Sequence, residues 1–264
     1  MIKTNFHSHT FLCGHAGGAP MDYVIEAIKH NYTHLGISEH APMPNLRSTN
    51  SRLELKNYDL YFKLLNEAKV YANNYNLKLY KGFEIEYFKH LEYLYPKYLK
   101  DVDYLILGQH YIMKNGKEKS TYTLDDLEDI KIYVETVVEA LNTNHFSILA
   151  HPELCFFNFK EVTDEMIEML RPIIKTAKSL DIPLEINANG LRRSKYEDKN
   201  EDLSKVRYPK INFFKMVKEE GAKVIIGSDA HSVDALDDFA TTKAYQIASD
   251  LDLSVVYFPK GLIK

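Results

Sequence analysis

Short apolar segments recur along the whole chain, and most of them end in a histidine or a carboxylate residue. Between them lie longer segments, such as 57–75, in which apolar residues repeat at helical spacing. Alternating strands and helices of this kind are typical of βα units around a parallel sheet. Because helices cover both faces of such a sheet, its strands are apolar except where they end. A chain of 264 residues is long enough for one α/β barrel, so we expect residues 1–264 to form a single domain.

The spacing of apolar residues assigns the elements. It predicts helices at 20–31, 57–75, 124–143, 163–180, 209–221 and 233–250. Thr123 and Thr163 precede two of these helices and suit the N-cap position. After a first strand at the start of the chain, strands are predicted at 34–40, 77–86, 104–110, 146–151, 183–187, 223–231 and 254–258. Asn115-Gly116 indicates a tight hairpin turn, and polar loops are predicted at 45–55 and 189–209.

Composition narrows the class of protein. With 33 Lys and Arg against 37 Asp and Glu, the formal net charge is −4, which argues against a nucleic-acid-binding groove. The two cysteines, Cys13 and Cys155, are too few for a disulfide framework and are expected to be small buried residues. The start of the chain lacks the apolar core of a signal peptide, and we find no run of membrane-spanning length. We therefore expect a cytoplasmic protein without a membrane or nucleic-acid partner.

The polar residues at the strand ends suggest a metal site. His7 and His9 lie two residues apart, so in an extended strand their imidazoles project from the same face. In β/α barrels, the carboxyl ends of the strands together form the active site. Ligand-type residues that would meet there are His7, His9, His15, His40, Glu84, His110, His151, Asp229 and His231. Packed together without cations, these groups would be unfavourable, since buried carboxylates need partners and protonated imidazoles repel.

Divalent cations would resolve both problems. The ligands are nitrogen and oxygen atoms, which suits Zn, Mn or Fe. Nine ligands are enough for three ions, and one carboxylate could bridge two of them. The alternative is a polar barrel mouth of hydrogen-bonded histidines. Other histidines are expected at the surface or at helix caps, namely His30, His34, His90 and His145, whereas Glu39 is expected on the face of its strand opposite to His40.

Several of these segments resemble the motifs of the polymerase and histidinol phosphatase superfamily. They are His7-Ser8-His9-Thr10, Glu84, Gly108-Gln109-His110, Ala150-His151-Pro152 and Gly227-Ser228-Asp229-Ala230-His231, in the same order along the chain. The segment from Glu185 to Arg193 is similar to one found in the monofunctional histidinol-phosphate phosphatases. The resemblance implies a distorted seven-stranded β/α barrel. It also implies three metal ions, the first held by His7, His9, Glu84 and Asp229, the second by Glu84, His110 and His151, and the third by His15, His40 and His231.

The implied activity is the hydrolysis of L-histidinol phosphate in histidine biosynthesis. A water that bridges two cations would lose its proton near neutral pH and attack phosphorus. Glu84, Asp229 and His231 would be the catalytic residues, and Asp229 or His231 could pass a proton to the leaving group. Candidate substrate-binding residues are Lys160, Arg192, Arg193, Arg207 and Glu153, the last standing where relatives commonly have Asp. A substrate role for Arg192 predicts that its replacement by Ala raises KM more than it disturbs metal content.

Two other functions are compatible with these motifs. A phosphoesterase of the same superfamily could act on nucleotides or other small phosphomonoesters, although the mild acidity and the Gly190–Arg193 segment favour the first assignment. A metal-binding module without catalysis, serving a partner protein, is the other alternative. The sequence does not reveal the oligomeric state.

Overall fold

The computed structural model describes residues 2–44, 51–194 and 206–262. Parts of the two predicted polar loops, 45–50 and 195–205, lie outside these residues. Eight strands form one parallel sheet, and a small antiparallel hairpin lies apart from it. The strands are β1 (Thr4–Asn5), β2 (His34–His40), β3 (Lys78–Ile85), β4 (Tyr104–Leu107), β5 (Tyr111–Lys114), β6 (Lys117–Ser120), β7 (Ile148–Leu149), β8 (Leu184–Asn187), β9 (Lys223–Gly227) and β10 (Ser254–Val255).

The parallel sheet curls into a distorted barrel. Its order is β1-β2-β3-β4-β7-β8-β9-β10, and every neighbouring pair is parallel. Beyond the ends of β1 and β9, Ser8 forms an isolated parallel bridge with Ala230, and the His9 amide donates to the Ala230 carbonyl at 2.9 Å. This bridge joins the first and seventh strands of the ring at their carboxyl ends. The predicted seven-stranded barrel is thereby confirmed, with β10 added beside the amino-terminal half of β9.

Helices surround the sheet. In the described residues they are α1 (Pro20–Lys29), α2 (Tyr58–Ala72), α3 (Tyr95–Tyr98), α4 (Leu127–Asn142), α5 (Asp164–Glu168), α6 (Arg171–Ser179), α7 (Ala188–Arg193), α8 (Ile211–Glu220) and α9 (Phe239–Asp250). The single helix predicted at 163–180 is in fact two, because Pro172 has no amide hydrogen and starts a new helix. None of the described helices has both the length and the apolar character needed to cross a bilayer.

Two helix starts differ from the prediction, and a third agrees with it. Asp126 caps α4 by accepting from the Asp129 amide, because the predicted cap Thr123 belongs to a preceding 3-10 turn. The predicted helix at 233–250 begins with a 3-10 turn, and its α-helical part starts at α9, which Asp238 caps. Thr163 caps α5 as predicted. Residues 189–193, part of the loop predicted at 189–209, lie in α7, which Asn187 caps by accepting from the Asn189 amide.

An apolar cluster fills the inside of the barrel below the strand ends. Phe6 and Tyr104 meet edge to face with ring centroids 5.7 Å apart, and the Tyr104 hydroxyl donates to the Phe6 carbonyl. Gly36 and Gly82 lie against this tyrosine, and a Cβ at either position would overlap its side chain. The apolar cluster stops below the carboxyl ends of the strands, and polar side chains occupy the space at those ends.

Candidate metal centre

The nine ligand-type residues predicted from the sequence converge at the carboxyl ends of the strands. Each lies at the end of a strand of the ring or shortly after it, and parallel strands place those ends on the same side of the barrel. Nitrogen and oxygen atoms of eight of them, all but His15, form three groups, each with its ligand atoms within 4.8 Å of one another. The groups are His7, His9 and Asp229; Glu84, His110 and His151; and His9, His40 and His231.

Glu84 lies between these groups. One of its oxygens, Oε2, is 3.3 Å from His7 Nε2 and 3.1 Å from His40 Nδ1. The other, Oε1, is 2.9 Å from His151 Nε2 and 3.6 Å from His110 Nε2. A single carboxylate therefore faces two sets of imidazoles, which is the arrangement of a bridging ligand.

The third group of residues extends towards His15. The Nε2 atoms of His15 and His231 are 3.0 Å apart. The ring of His9 stacks on both His40 and His231, with centroids 4.2 Å and 4.4 Å away. The structure thus brings the implied set of His15, His40 and His231 together, with His9 beside them.

The donor atoms of this centre fit divalent cations. Glu84 and Asp229 are buried, and among the described residues their ion-pair partners are all histidines. The Nε2 atoms of His7 and His9 are buried without a hydrogen-bond partner, although carboxylate oxygens lie 3.2–3.5 Å away. A buried polar atom without a partner costs free energy. A divalent cation between these imidazoles and carboxylates would satisfy both kinds of group.

The surroundings raise the pKa of some histidines in this centre and lower the pKa of others. Burial lowers the pKa of His9, but the nearby carboxylates of Asp229, Glu39 and Glu84 raise it to about 9. Burial likewise opposes the carboxylates around His7, which raise the pKa of that imidazole well above its ordinary value. In contrast, burial and the neighbouring imidazoles lower the pKa of His40 and bring that of His231 to about 4. Cations would therefore displace protons from the first kind of imidazole and meet the second already neutral.

Three further carboxylates hold the ligand imidazoles from behind. Glu185 Oε1 lies 2.7 Å from His7 Nδ1, and Glu86 Oε1 lies 3.1 Å from His110 Nδ1. Glu39 Oε1 lies 3.5 Å from His9 Nδ1, and its other oxygen accepts from the amide and hydroxyl of Thr10. Such outer carboxylates fix the orientation of a histidine ring and leave its Nε2 free for a metal.

Sequence reasoning missed this outer layer. Glu39 was expected to face away from the site, yet its buried side chain reaches His9 from behind. Glu86, two residues after Glu84, is paired with Arg52 through two hydrogen bonds of 3.0 Å and 3.2 Å. Although burial raises the pKa of Glu86, Arg52 and His110 lower it to about 2. The spacing of two residues between Glu84 and Glu86 was the signal that could have identified this partner.

A cavity of about 350 Å³ opens over the centre. Besides six of the predicted ligands, it is lined by Ser51, Arg52, Glu86, Tyr111, Tyr122, Asn189 and Arg193. Arg193 packs over the rings of Tyr122 and Phe157, at 5.0 Å and 5.3 Å, and donates to the Tyr122 hydroxyl. The cavity therefore joins the metal-ligating face to a wall of aromatic and cationic groups.

The other four predicted substrate-binding residues do not line this cavity. Arg192 turns away from it and donates to backbone and side-chain acceptors of the chain after β9. Arg207 donates to the Phe157 carbonyl, and Lys160 is exposed. Glu153 is buried and accepts from the Lys210 amide, and burial raises its pKa to about 7. The structure thus places these four side chains outside the cavity.

The chain matches the model of a known protein family and is similar to proteins from other organisms. The family model described as PHP domain matches residues 5–189, well over half of the chain. A probable histidinol-phosphatase from Deinococcus radiodurans is 26% identical over 233 residues, which cover 85% of both chains. One from Schizosaccharomyces pombe is 25% identical over 257 residues, covering 87% of this chain and 80% of the relative.

A solved structure shares the fold. It is that of histidinol phosphate phosphatase from Lactococcus lactis, complexed with zinc, L-histidinol and phosphate. The two structures superpose with a TM-score of 0.73 at 17% sequence identity, covering 98% of this chain and 97% of the other. At this identity the similarity shows the fold alone.

The barrel, the ligand groups at its strand ends and the family match together define a metal-dependent phosphoesterase. The chain belongs to the PHP family. The resemblance noted in the sequence is thereby confirmed.

Proposed function

We propose that this protein hydrolyses small phosphomonoesters, that its substrate is L-histidinol phosphate, and that it acts with three divalent ions of Zn, Mn or Fe. The observation that carries the proposal is the position of Glu84, whose two oxygens face separate groups of buried imidazoles. The names of the two relatives and the ligands of the Lactococcus structure support the choice of substrate. Histidine biosynthesis in the cytoplasm is the corresponding role.

The proposed metal ligands are those implied by the resemblance. Glu84 would be shared by two ions, and the other eight are His7, His9, His15, His40, His110, His151, Asp229 and His231. When bound, divalent cations lower the pKa of a water molecule and stabilise the charge that develops on phosphoryl oxygens. The protein's contribution is to hold these ligands in place, and Glu39, Glu86 and Glu185 do so by fixing three of the imidazole rings.

Arg193 is the candidate for binding the phosphate. Its guanidinium lines the cavity across from the imidazoles, and guanidinium groups bind phosphate oxygens in a bidentate manner. Stacking on Tyr122 and Phe157 limits the motion of this side chain. Tyr111 and Tyr122 add aromatic surface to the same cavity, which suits a flat ring such as imidazole.

Asp229 is the candidate for moving a proton. The charges of His7 and His231 overcome burial and lower the pKa of this carboxyl, so it is ionised at neutral pH. Its Oδ2 atom is 3.2 Å from the side-chain nitrogens of both Asn187 and Asn189. Asp229 and Asn189 both line the cavity, so this carboxylate is accessible to a substrate bound there. His231, with a pKa of about 4, is neutral at pH 7, so its ring nitrogen is available to a metal ion without loss of a proton.

The second candidate function is hydrolysis of other small phosphomonoesters, including nucleotides. The family match identifies a PHP domain without specifying which phosphoester it hydrolyses, so it fits this function equally well. A volume of about 350 Å³ accommodates a nucleoside monophosphate as well as histidinol phosphate.

A substrate panel tests the proposal. The metal content of purified protein is measured first, and hydrolysis of L-histidinol phosphate, nucleoside monophosphates and single-stranded DNA is then compared. We expect turnover of histidinol phosphate that a chelator abolishes and that Mn or Zn restores. Greater kcat/KM for a nucleotide would favour the second candidate. Failure to hydrolyse any phosphomonoester with metals fully loaded would favour a binding module without catalysis.

A further inference from the structure

We propose that Arg192 is a positioning residue for the chain segment that carries Asp229 and His231, rather than a substrate ligand. We call residues 228–241, which follow β9, the ligand loop. Arg192 Nη1 donates to the Ser228 carbonyl at 2.6 Å, and Nη2 donates to the Ala235 carbonyl at 2.6 Å. These two carbonyls lie on either side of both proposed metal ligands. One guanidinium thus ties the two ends of the short stretch on which Asp229 and His231 stand.

Other contacts of Arg192 extend this clamp along the ligand loop. Its Nε donates to Asp238 Oδ2 at 2.6 Å, and Nη2 reaches the Ser228 hydroxyl at 3.0 Å and Thr241 Oγ1 at 3.3 Å. Asp238 is the N-cap of α9 and accepts from the amides of Ala240 and Thr241. The start of α9 is therefore tied to the same guanidinium as the metal-ligating stretch.

The backbone of Asp229 explains why a clamp is needed. Its φ is +47°, in the left-handed region that residues with a Cβ seldom adopt. Such a conformation is strained and persists where surrounding contacts hold it. Asp229 is flanked by Ser228, whose amide donates to Asn5 Oδ1, and by Ala230, which pairs with Ser8. Arg192 supplies the hydrogen bond to the carbonyl directly before this strained residue.

The neighbouring Arg193 provides a natural contrast. The two arginines are consecutive on α7, and consecutive helical side chains point about 100° apart. Arg193 lines the cavity, whereas Arg192 does not and its side chain is 15% exposed. We therefore assign the two arginines different effects on metal binding and on substrate binding.

The inference rests on the proposed metal centre but not on the choice of substrate. Its test compares Arg192→Ala, Arg192→Lys and the matched control Arg193→Ala. Affinity for Zn or Mn is measured by titration of the metal-free protein, and unfolding is followed in parallel. We expect Arg192→Ala to bind metal about 10–100-fold more weakly, as is common when a support of a metal ligand is lost. Arg193→Ala should retain wild-type metal affinity and raise KM.

Arg192→Lys separates positioning from mere stability. A lysine can keep the ion pair with Asp238, but one ammonium cannot also reach the carbonyls of Ser228 and Ala235 in the same geometry. We expect this variant to unfold like the wild type while its metal affinity stays low. If Arg192→Ala proves unfolded, this variant alone decides the question.

Two results would overturn the inference. In one, Arg192→Ala keeps full metal affinity and only raises KM, as a substrate ligand would. In the other, Arg192→Lys recovers both metal affinity and stability, so that charge alone suffices. Because metal affinity is measured without substrate, a protein that binds metal in an Arg192-dependent way but does not hydrolyse histidinol phosphate would refute the proposed function and leave the positioning role intact.

Discussion

Acidic residues cluster at the start of α4 and at the carboxyl ends of the strands, and the two places neutralise this negative charge in different ways. At the start of α4, Asp125, Asp126 and Asp129 offer oxygens within 4.8 Å of one another. Lys114 lies 2.8 Å from Asp126 and 2.7 Å from Asp129, and Lys119 lies 2.6 Å from Asp125 and 2.5 Å from Asp129. Fixed ammonium groups therefore already meet these carboxylates.

Among the described residues, no such fixed cation pairs with Glu84 or Asp229 at the strand ends, although Arg52 pairs with Glu86 nearby. Glu84 and Asp229 are buried, and their ion-pair partners are imidazoles, whose charge depends on bound protons. Buried carboxylates need a positive partner, and at this site it can be a proton or a metal ion. The comparison teaches that closeness of ligand atoms does not by itself identify a metal site, and that a buried carboxylate without a permanent cation needs a proton or a metal ion.

The largest expected effect comes from removing the shared carboxylate. Glu84→Gln should lower hydrolysis by about 10³-fold or more and reduce the number of bound metal ions, because ion stabilisation contributes several kcal/mol. The same acid-to-amide change at Asp125 is the control and should leave metal content and turnover unchanged, since that side chain is mostly exposed and already paired with Lys119. Metal analysis and steady-state kinetics check both. Loss of metal in the Asp125 variant would break the comparison.

The second effect concerns the metal-free protein. The pKa of His9 is raised to about 9, so protonated His9 stabilises the fold fully below its ordinary pKa of 6.5, and this contribution is lost as the pH rises towards 9. We expect metal-free protein to lose on the order of 3 kcal/mol of stability between pH 6.5 and 9. Metal-loaded protein should lose much less, because the ions replace those protons.

Denaturant unfolding at pH 6.5 and pH 9, with and without chelator, measures this difference.

At acid pH, the contribution of the two buried carboxylates to stability changes with pH in the opposite direction. The pKa values of Glu84 and Asp229 are lowered despite burial, chiefly by the charge of His7, so their contribution is present above their ordinary values and lost as the pH falls. Equal pH dependence of the metal-free and metal-loaded proteins would contradict the idea that protons stand in for cations.

The sequence was sufficient to predict the barrel and the positions of the ligand-type residues along the chain, since both depend on local patterns. An apolar segment followed by His, Glu or Asp can be recognised directly in the sequence, as it is before His40 and before His110. It was not sufficient for side chains whose role depends on where distant elements pack. Arg192 and Arg193 look alike in sequence, and only the position of the ligand loop separates them. Glu185 likewise gains its role from His7, which follows a different strand, β1.

The third effect tests the layer behind the ligands. Glu185 accepts at Oε1 from His7, and at Oε2 from the His151 amide and Asn187 Nδ2. Glu185→Gln would set an NH₂ group against one of these donors, whichever way the amide turns. Gly227 packs against this side chain, so it has little room to move away. We expect metal affinity to fall about 10–100-fold, as metal titration would show. Unchanged affinity would mean that Glu185 does not orient His7.

The smallest effect belongs to a third kind of buried carboxylate, Glu153, which is balanced neither by lysines nor by the metal centre. Burial raises its pKa from 4.5 to about 7, and its Oε2 lacks a hydrogen-bond partner among the described residues. A raised pKa means that its protonated form stabilises the fold fully below about pH 4.5, and that this contribution is lost as the pH rises through 7.

Glu153→Gln removes that titration while its oxygen still accepts from the Lys210 amide. We expect the free energy of unfolding of the variant, relative to that of the wild type, to increase from pH 5 to pH 8 by on the order of 1–3 kcal/mol. Urea unfolding of the metal-loaded protein at the two pH values measures the difference. A variant whose stability tracks the wild type at both would show that Glu153 keeps its charge in the fold. The rule drawn from the comparison, that a buried carboxylate without a fixed cation acquires a proton or a metal, would then fail at its simplest case.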